Sequence, residues 1–230
     1  MRIALIMLLL ILAGTTVRSQ TAAGPPTTYG DAIRWYQRAA NGGSAKAQYL
    51  LAYMLETGKG RARDVAAAAQ WYRRAAVQGH ALAQFRLGWM RQNGLGVERD
   101  LAQAASWYVS AAAKGVGEAA FNLGYLYETG EGVAADAEKA RIYYRQAAEK
   151  GLGGAQMNLG LLLASQAEKS QGQGDTARSE GFLWLSLAAA QDVPDAAAAR
   201  DTLGASLTPR QIEAIRKRIG ERGKAGDKAR

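Results

Sequence analysis

The sequence predicts an all-α fold, a solenoid of paired helices stacked in register, and three observations predict it. Aromatic and small-residue landmarks recur at a fixed spacing of 36 residues. Glycines recur in the same phase at places where a helix must stop. Proline, which breaks helices, is scarce at 4 in 230 residues. A period of this length is the signature of a repeat architecture, in which each unit buries its apolar face only against its neighbours.

The period is read from several landmarks. Trp35-Tyr36, Trp71-Tyr72, Trp107-Tyr108 and Tyr143-Tyr144 open the series, and the Ala pairs 39–40, 75–76, 111–112 and 147–148 follow in phase. Gly43, Gly79, Gly115 and Gly151 mark one junction; Gly58/Gly60, Gly94/Gly96 and Gly130/Gly132 mark another. Each unit then reads as two helices. Helix A spans about Ala45–Thr57 in the first full unit and ends at Gly58, since glycine takes a left-handed cap without steric cost. Helix B spans about Val65–Gln78, with Asp64 placed as N-cap and Trp71, Tyr72, Ala75 and Ala76 expected inside. Asp100 with Gln103 has the spacing of a capping box. Gly88, Gly124 and Gly160 fall in mid-helix, where glycine costs about 1 kcal/mol against alanine. Close approach of a neighbouring helix compensates for that cost.

The ends of the array are also legible. Thr28 caps a first B-type helix, so the array opens on a half-repeat. Trp184 follows Tyr143 by 41 residues, and the extra five are assigned to a lengthened loop within 165–180. Thr208-Pro209-Arg210-Gln211 starts a closing helix with a capping box, Pro at the first turn, and a staple between Leu207 and Ile212. The array is thus set at 28–207, the capping helix at 208–222, and a disordered basic tail at 223–230.

The formal charge of +9 lies mostly outside the array. Residues 1–27 contribute +2 and residues 208–230 contribute +5, leaving +2 for the body. A nucleic-acid-binding body is a poor reading of that balance. The basic tail, Arg210–Arg230, suits weak contact with anionic lipid. The N-terminus has the form of a signal peptide over 1–23, with Arg2 before the apolar run Ile3–Ala13, and a flexible lead-in over 24–27. A periplasmic or secreted protein is expected, or a membrane-anchored one if the segment is not cleaved. There is no Cys, which excludes disulfides and thiolate metal sites.

The pattern from Ala119 to Asp136, AAFNLGYLYETGEGVAAD, followed by Lys139 to Gly151, resembles the Sel-like repeat, an α/α unit related to tetratricopeptide repeats. The resemblance covers about 28–205. It implies a right-handed solenoid acting as a scaffold or adaptor, and bacterial relatives are often exported to the envelope. Arg61, where Val97 and Val133 stand in later units, departs from the pattern. Cysteine-rich relatives resemble β-lactam-binding proteins, but this chain lacks their cysteines.

No catalytic constellation accompanies the repeat. His80 is the only histidine and reads as a surface or capping residue. G-x-S-x-G and S-x-x-K are absent, and no enzyme, metal or cofactor is expected. The better candidate is a stripe on helix A at i, i+4, i+7 and i+11. It contains Lys46, Tyr53, Arg86, Trp89, Asn122, Tyr125 and Asn158, on the face this architecture usually makes concave. Those residues would hold a protein or peptide partner, or the aromatics would pack between adjacent A helices. A cell-envelope enzyme acting on peptidoglycan or β-lactam-like substrates is the alternative reading.

Overall fold

A computed structural model describes residues 29–170 and 174–228. The expected signal segment, the lead-in and the Thr28 cap lie outside the described residues. Within them the chain folds as helices that pack in consecutive pairs, an all-α solenoid with no strand. The half-repeat helix α1 (Tyr29–Asn41) is followed by three regular pairs. These are α2 (Ala45–Thr57) with α3 (Val65–Val77), α4 (Ala81–Asn93) with α5 (Leu101–Ala112), and α6 (Gly117–Thr129) with α7 (Ala137–Glu149). The fourth pair is α8 (Gly153–Lys169) with α9 (Asp175–Ala189), and α10 (Ala196–Gly204) and α11 (Pro209–Lys228) close the stack. No helix among the described residues is long and apolar enough to cross a membrane.

The caps follow from the sequence. Gly58, Gly94 and Gly130 end their helices at φ of 72°, 67° and 76°. Asp64, Asp100 and Asp136 accept from the backbone N–H three residues on, each at 2.9 Å. Their own N–H groups donate back to Leu55, Arg91 and Tyr127, which closes each loop onto its A helix. At Asp100 the Gln103 amide bonds to the Asp side chain at 2.6 Å, not to the cap's backbone N–H, so the box is incomplete there. At Thr208 it is complete, with the Thr208 N–H donating to Gln211 at 2.8 Å and the Gln211 N–H donating to Thr208 at 3.3 Å.

Close helix approach explains the mid-helix glycines. A Cβ on Gly88 would lie 2.8 Å from the Tyr108 ring, and one on Gly124 would lie 2.7 Å from the Tyr144 ring. Tyr72, Tyr108 and Tyr144 are fully buried, each against a second ring, Tyr49, Phe85 or Phe121, with centroids 5.7–6.0 Å apart. The aromatic pair therefore divides its work. Trp71, Trp107 and Tyr143 are only half-buried, whereas the following tyrosine is the core residue. Trp184 is the exception, buried beneath the terminal helices with Leu207 and Ile215.

Two boundaries differ from expectation. The five extra residues of the fourth unit do not lengthen its loop. They extend the helices: α8 runs to 17 residues and α9 to 15, against 13 for a regular helix such as α7. Residues 160–169 hold three Leu and two Ala, all good helix formers, and contain no glycine after Gly160, so nothing stops the helix. The last helix continues through Gly220 and Gly223 to Lys228, past the 222 boundary set for a disordered tail. Two glycines cost about 1 kcal/mol each, and the Lys, Arg, Glu and Ala residues around them favour helix. Asp192, one landmark after Gly151, takes its left-handed place at φ 54°.

Candidate functional site

The stripe on the A helices separates into rows with different fates. Arg86, Asn122 and Asn158 stand at equivalent positions and are drawn into a polar ladder. The hydroxyl of Tyr72 donates to Glu56 at 2.7 Å, and Arg86 forms an ion pair with the same carboxylate. One unit on, the Tyr108 hydroxyl donates to Gln92 at 2.6 Å and accepts from Asn122 at 3.1 Å. In the third unit Tyr144 donates to Glu128 at 2.6 Å, and Asn158 bonds the same hydroxyl. Each rung ties an A helix to its own B helix and to the next A helix.

The ladder's electrostatics follow from burial. Burial pushes the Tyr108 hydroxyl up to about 12. Burial, then the adjacent carboxylate, holds Tyr72 and Tyr144 higher still. Burial works to lower the Arg86 pKa, but Glu56 outweighs it and the guanidinium is held above its ordinary value. These groups stay in one protonation state near neutrality and act as joints.

The second row behaves differently. Tyr53, Tyr125 and Leu161 are exposed at 36%, 42% and 41%, and Trp89 between them is half-buried. Lys59 lies over the Tyr53 ring at 5.3 Å and the Arg86 guanidinium over Trp89 at 4.9 Å. Trp89 also packs against the buried core. Lys46 is exposed at the start of α2, with Leu82 and Glu118 exposed at equivalent places on α4 and α6. At the far end of each A helix Thr57, Asn93 and Thr129 bond the carbonyl four residues back at 2.8–3.0 Å. What remains for a ligand is a row of aromatic and aliphatic side chains, with Lys46 and Glu118 at one margin.

His80 caps α4. Its Nδ1 accepts from the Ala83 N–H at 3.3 Å, where Ser44 caps the equivalent helix. Its ring stacks on Tyr49 at 4.7 Å. Burial, with Lys114 and Lys46 nearby, depresses its pKa below 6.5. No cluster of three or more His, Asp or Glu suited to a metal occurs among the described residues.

Sequence reasoning missed a second ladder. Gln48, Gln84 and Gln156 are buried and donate to the carbonyls of Ala40, Ala76 and Ala148 at 3.1–3.2 Å. Ala120 holds that position in the third unit, and Gln146 from α7 bonds the equivalent carbonyl of Ala112 instead. Gln78 and Gln191 complete Gln48 and Gln156 at 2.8 Å, but Lys114 bonds the Gly79 carbonyl, leaving the Gln84 oxygen unpartnered. The glutamines stand in phase with the repeat, and that was the available signal.

A stack of α/α pairs packed in register defines an α-solenoid. The Sel1 repeat profile matches residues 29–44, 45–80, 81–116, 117–152 and 154–193, and the chain belongs to that family. No curated protein matches it by sequence. Among solved structures it is similar to c5321, described as a protective antigen of uropathogenic Escherichia coli with an SLR fold. That match has 29% identity and a TM-score of 0.68, over 84% of this chain and 41% of the other. It is also similar to a Sel1 repeat protein from Oxalobacter formigenes, at 28% identity and a TM-score of 0.64, over 83% of this chain and 78% of that one. The chain thus spans less than half the length of the first of these. Sel1 repeat proteins generally act as protein–protein interaction scaffolds, not as enzymes.

Proposed function

We propose that this protein is an exported scaffold that holds a segment of a partner protein along its A-helix face, in the assembly or signalling of an envelope complex. The observation that carries the reading is the row Tyr53, Trp89, Tyr125 and Leu161, largely exposed at one repeat position. Aromatic anchors on a rigid surface supply large contact area at little entropic cost. The polar ladder beneath fixes the spacing of that row. Export rests on the charged and apolar N-terminal sequence.

The test uses purified full-length protein as bait against an envelope fraction, with captured proteins identified by mass spectrometry. Tyr53→Ala with Tyr125→Ala should remove a specific partner while helical circular dichroism is unchanged. These two rings are more exposed than Trp89, which packs against the core, so their loss should disturb the fold less. Unaltered capture by the double variant would sink the assignment. Fractionation of the native host, with N-terminal sequencing of the mature chain, tests export independently.

A further inference from the structure

Charge within the array is polarised along its axis. Residues 28–115 hold twelve Lys/Arg against five Asp/Glu, whereas residues 116–207 hold seven against twelve. Four of these twelve cations, Arg34, Arg38, Arg73 and Arg74, stand on the B-type helices α1 and α3. Arg38 on α1 and Arg74 on α3 occupy the same repeat position, and Arg73 and Arg61 lie beside them, all four exposed. The equivalents in the next unit are Ser110 for Arg74, Val109 for Arg73 and Val97 for Arg61. The arginines thus depart from the repeat together and in one place.

Among the described residues no carboxylate pairs with Arg38, Arg61, Arg73 or Arg74. Arg145, the equivalent of Arg73 two units on, is by contrast tied to Glu180 at 2.8 Å. Three of the five acids of the first half are engaged elsewhere: Glu56 by Tyr72 and Arg86, and Asp64 and Asp100 as helix caps. Arg74 lies over the Trp71 ring at 4.3 Å, which orders its guanidinium.

The surface is grooved and mixed in character. One cleft of about 520 Å³ is lined by Ile33, Arg34, Gln37, Arg38 and Arg61, and Arg61 donates to Gln37 at 3.4 Å. A second of about 680 Å³ is lined by Gln48, Gln70, Arg73, Arg74, Val77 and Gln78. Every cation lining these clefts is arginine, whose planar fork matches a carboxylate in two parallel hydrogen bonds. The exposed Gln70 amide can both donate to and accept from a peptide backbone, whereas Gln48 and Gln78 are bonded to each other. Val77, exposed at 71%, and Ile33 offer apolar contact between the charges. A phosphate would use the forks and the amide N–H groups, but not the amide oxygen or the apolar points.

We propose that this face of α1 and α3 binds an acidic, carboxylate-bearing segment of a partner protein, on a surface separate from the aromatic row. The exposed pairs are individually weak and screened by salt, so binding depends on several guanidinium groups acting together.

Fluorescence anisotropy of full-length protein with a short labelled peptide alternating Glu and Val tests the assignment. Binding should weaken as salt rises. It should fall roughly tenfold or more in Arg73→Glu/Arg74→Glu, in keeping with the loss of two attractive charges and the gain of two repulsive ones. Arg73→Gln/Arg74→Gln, which removes charge without reversal, should weaken it by a smaller factor and guards against misfolding of the reversed variant. Tyr53→Ala/Tyr125→Ala should bind the peptide as the unmodified protein does, so failure of this site and failure of the A-helix reading are separable. Absence of peptide binding would overturn the proposal. So would equal binding by the arginine variants, or capture of phosphatidylglycerol vesicles or inorganic phosphate in preference to the peptide.

Discussion

Gly124→Ala sets two effects of opposite sign against each other. Alanine favours a helix interior over glycine by about 1 kcal/mol, so propensity alone predicts a more stable protein. The structure predicts the reverse. A Cβ at this position would lie 2.7 Å from Tyr144 Cδ1, 2.8 Å from Cε1 and 3.1 Å from Cγ. Ordinary carbon contact begins near 3.5 Å, so the ring would have to retreat by roughly 0.8 Å. It has little freedom to do so. Tyr144 is fully buried, Phe121 lies against it with centroids 5.8 Å apart, and its hydroxyl is held by Glu128 at 2.6 Å. Overpacking of this kind costs about 1–3 kcal/mol, and a loosened hydrogen bond adds about 1 kcal/mol. The expected net result is a loss of about 1–3 kcal/mol, read as a lower urea midpoint by circular dichroism. Tyr144→Phe in the same chain releases the hydroxyl tether and should recover part of the added cost in a double-mutant cycle. The first unit carries Ala52 at this phase, with its helix spacing set around a methyl group, so Ala52→Gly should destabilise by about 1 kcal/mol. A Gly124→Ala variant as stable as the parent, or more so, would refute the close-approach argument.

Two further predictions concern the joints. Glu56→Ala strands the Arg86 guanidinium and the Tyr72 hydroxyl and should cost about 2 kcal/mol in urea unfolding. Glu56→Gln should cost less, because Gln92 already accepts the tyrosine hydroxyl in the next unit. The His80 cap should make stability pH-dependent. Its folded pKa is below the ordinary 6.5, through burial and then the two lysines, so the unfolded chain binds the proton more readily. The cap's contribution is therefore complete above 6.5 and is lost as pH falls through the lower folded value. His80→Ser, which copies Ser44, should flatten the dependence of the urea midpoint across that window.

The family fold was legible from one chain because its cause is periodic. Trp71-Tyr72, Gly79 and Asp64 each have a local reason to sit where they do, and each reason repeats 36 residues later. Where the period lapses, so did the reading. The stretch 160–169 has no glycine to stop a helix after Gly160, but whether the added residues extend α8 also depends on whether α9 can cover a longer α8.

The sequence by itself determined the repeat, the caps and the A-helix stripe, because these depend on backbone conformation and on side-chain spacing within one helix. Only the tertiary structure decided which stripe residues remain free. Arg86, Asn122 and Asn158 look like ligand-binding residues at one position of successive A helices, yet Asn122 and Asn158 are spent on a buried tyrosine of the preceding B helix and Arg86 on Glu56, the carboxylate that Tyr72 also bonds. Arg38 on α1 and Arg73 and Arg74 on α3 lie far apart in the chain, and among the described residues no carboxylate pairs with them. A hydrogen-bond partner from another helix is invisible to local periodicity, and that partner separates a joint of the scaffold from a surface open to a ligand.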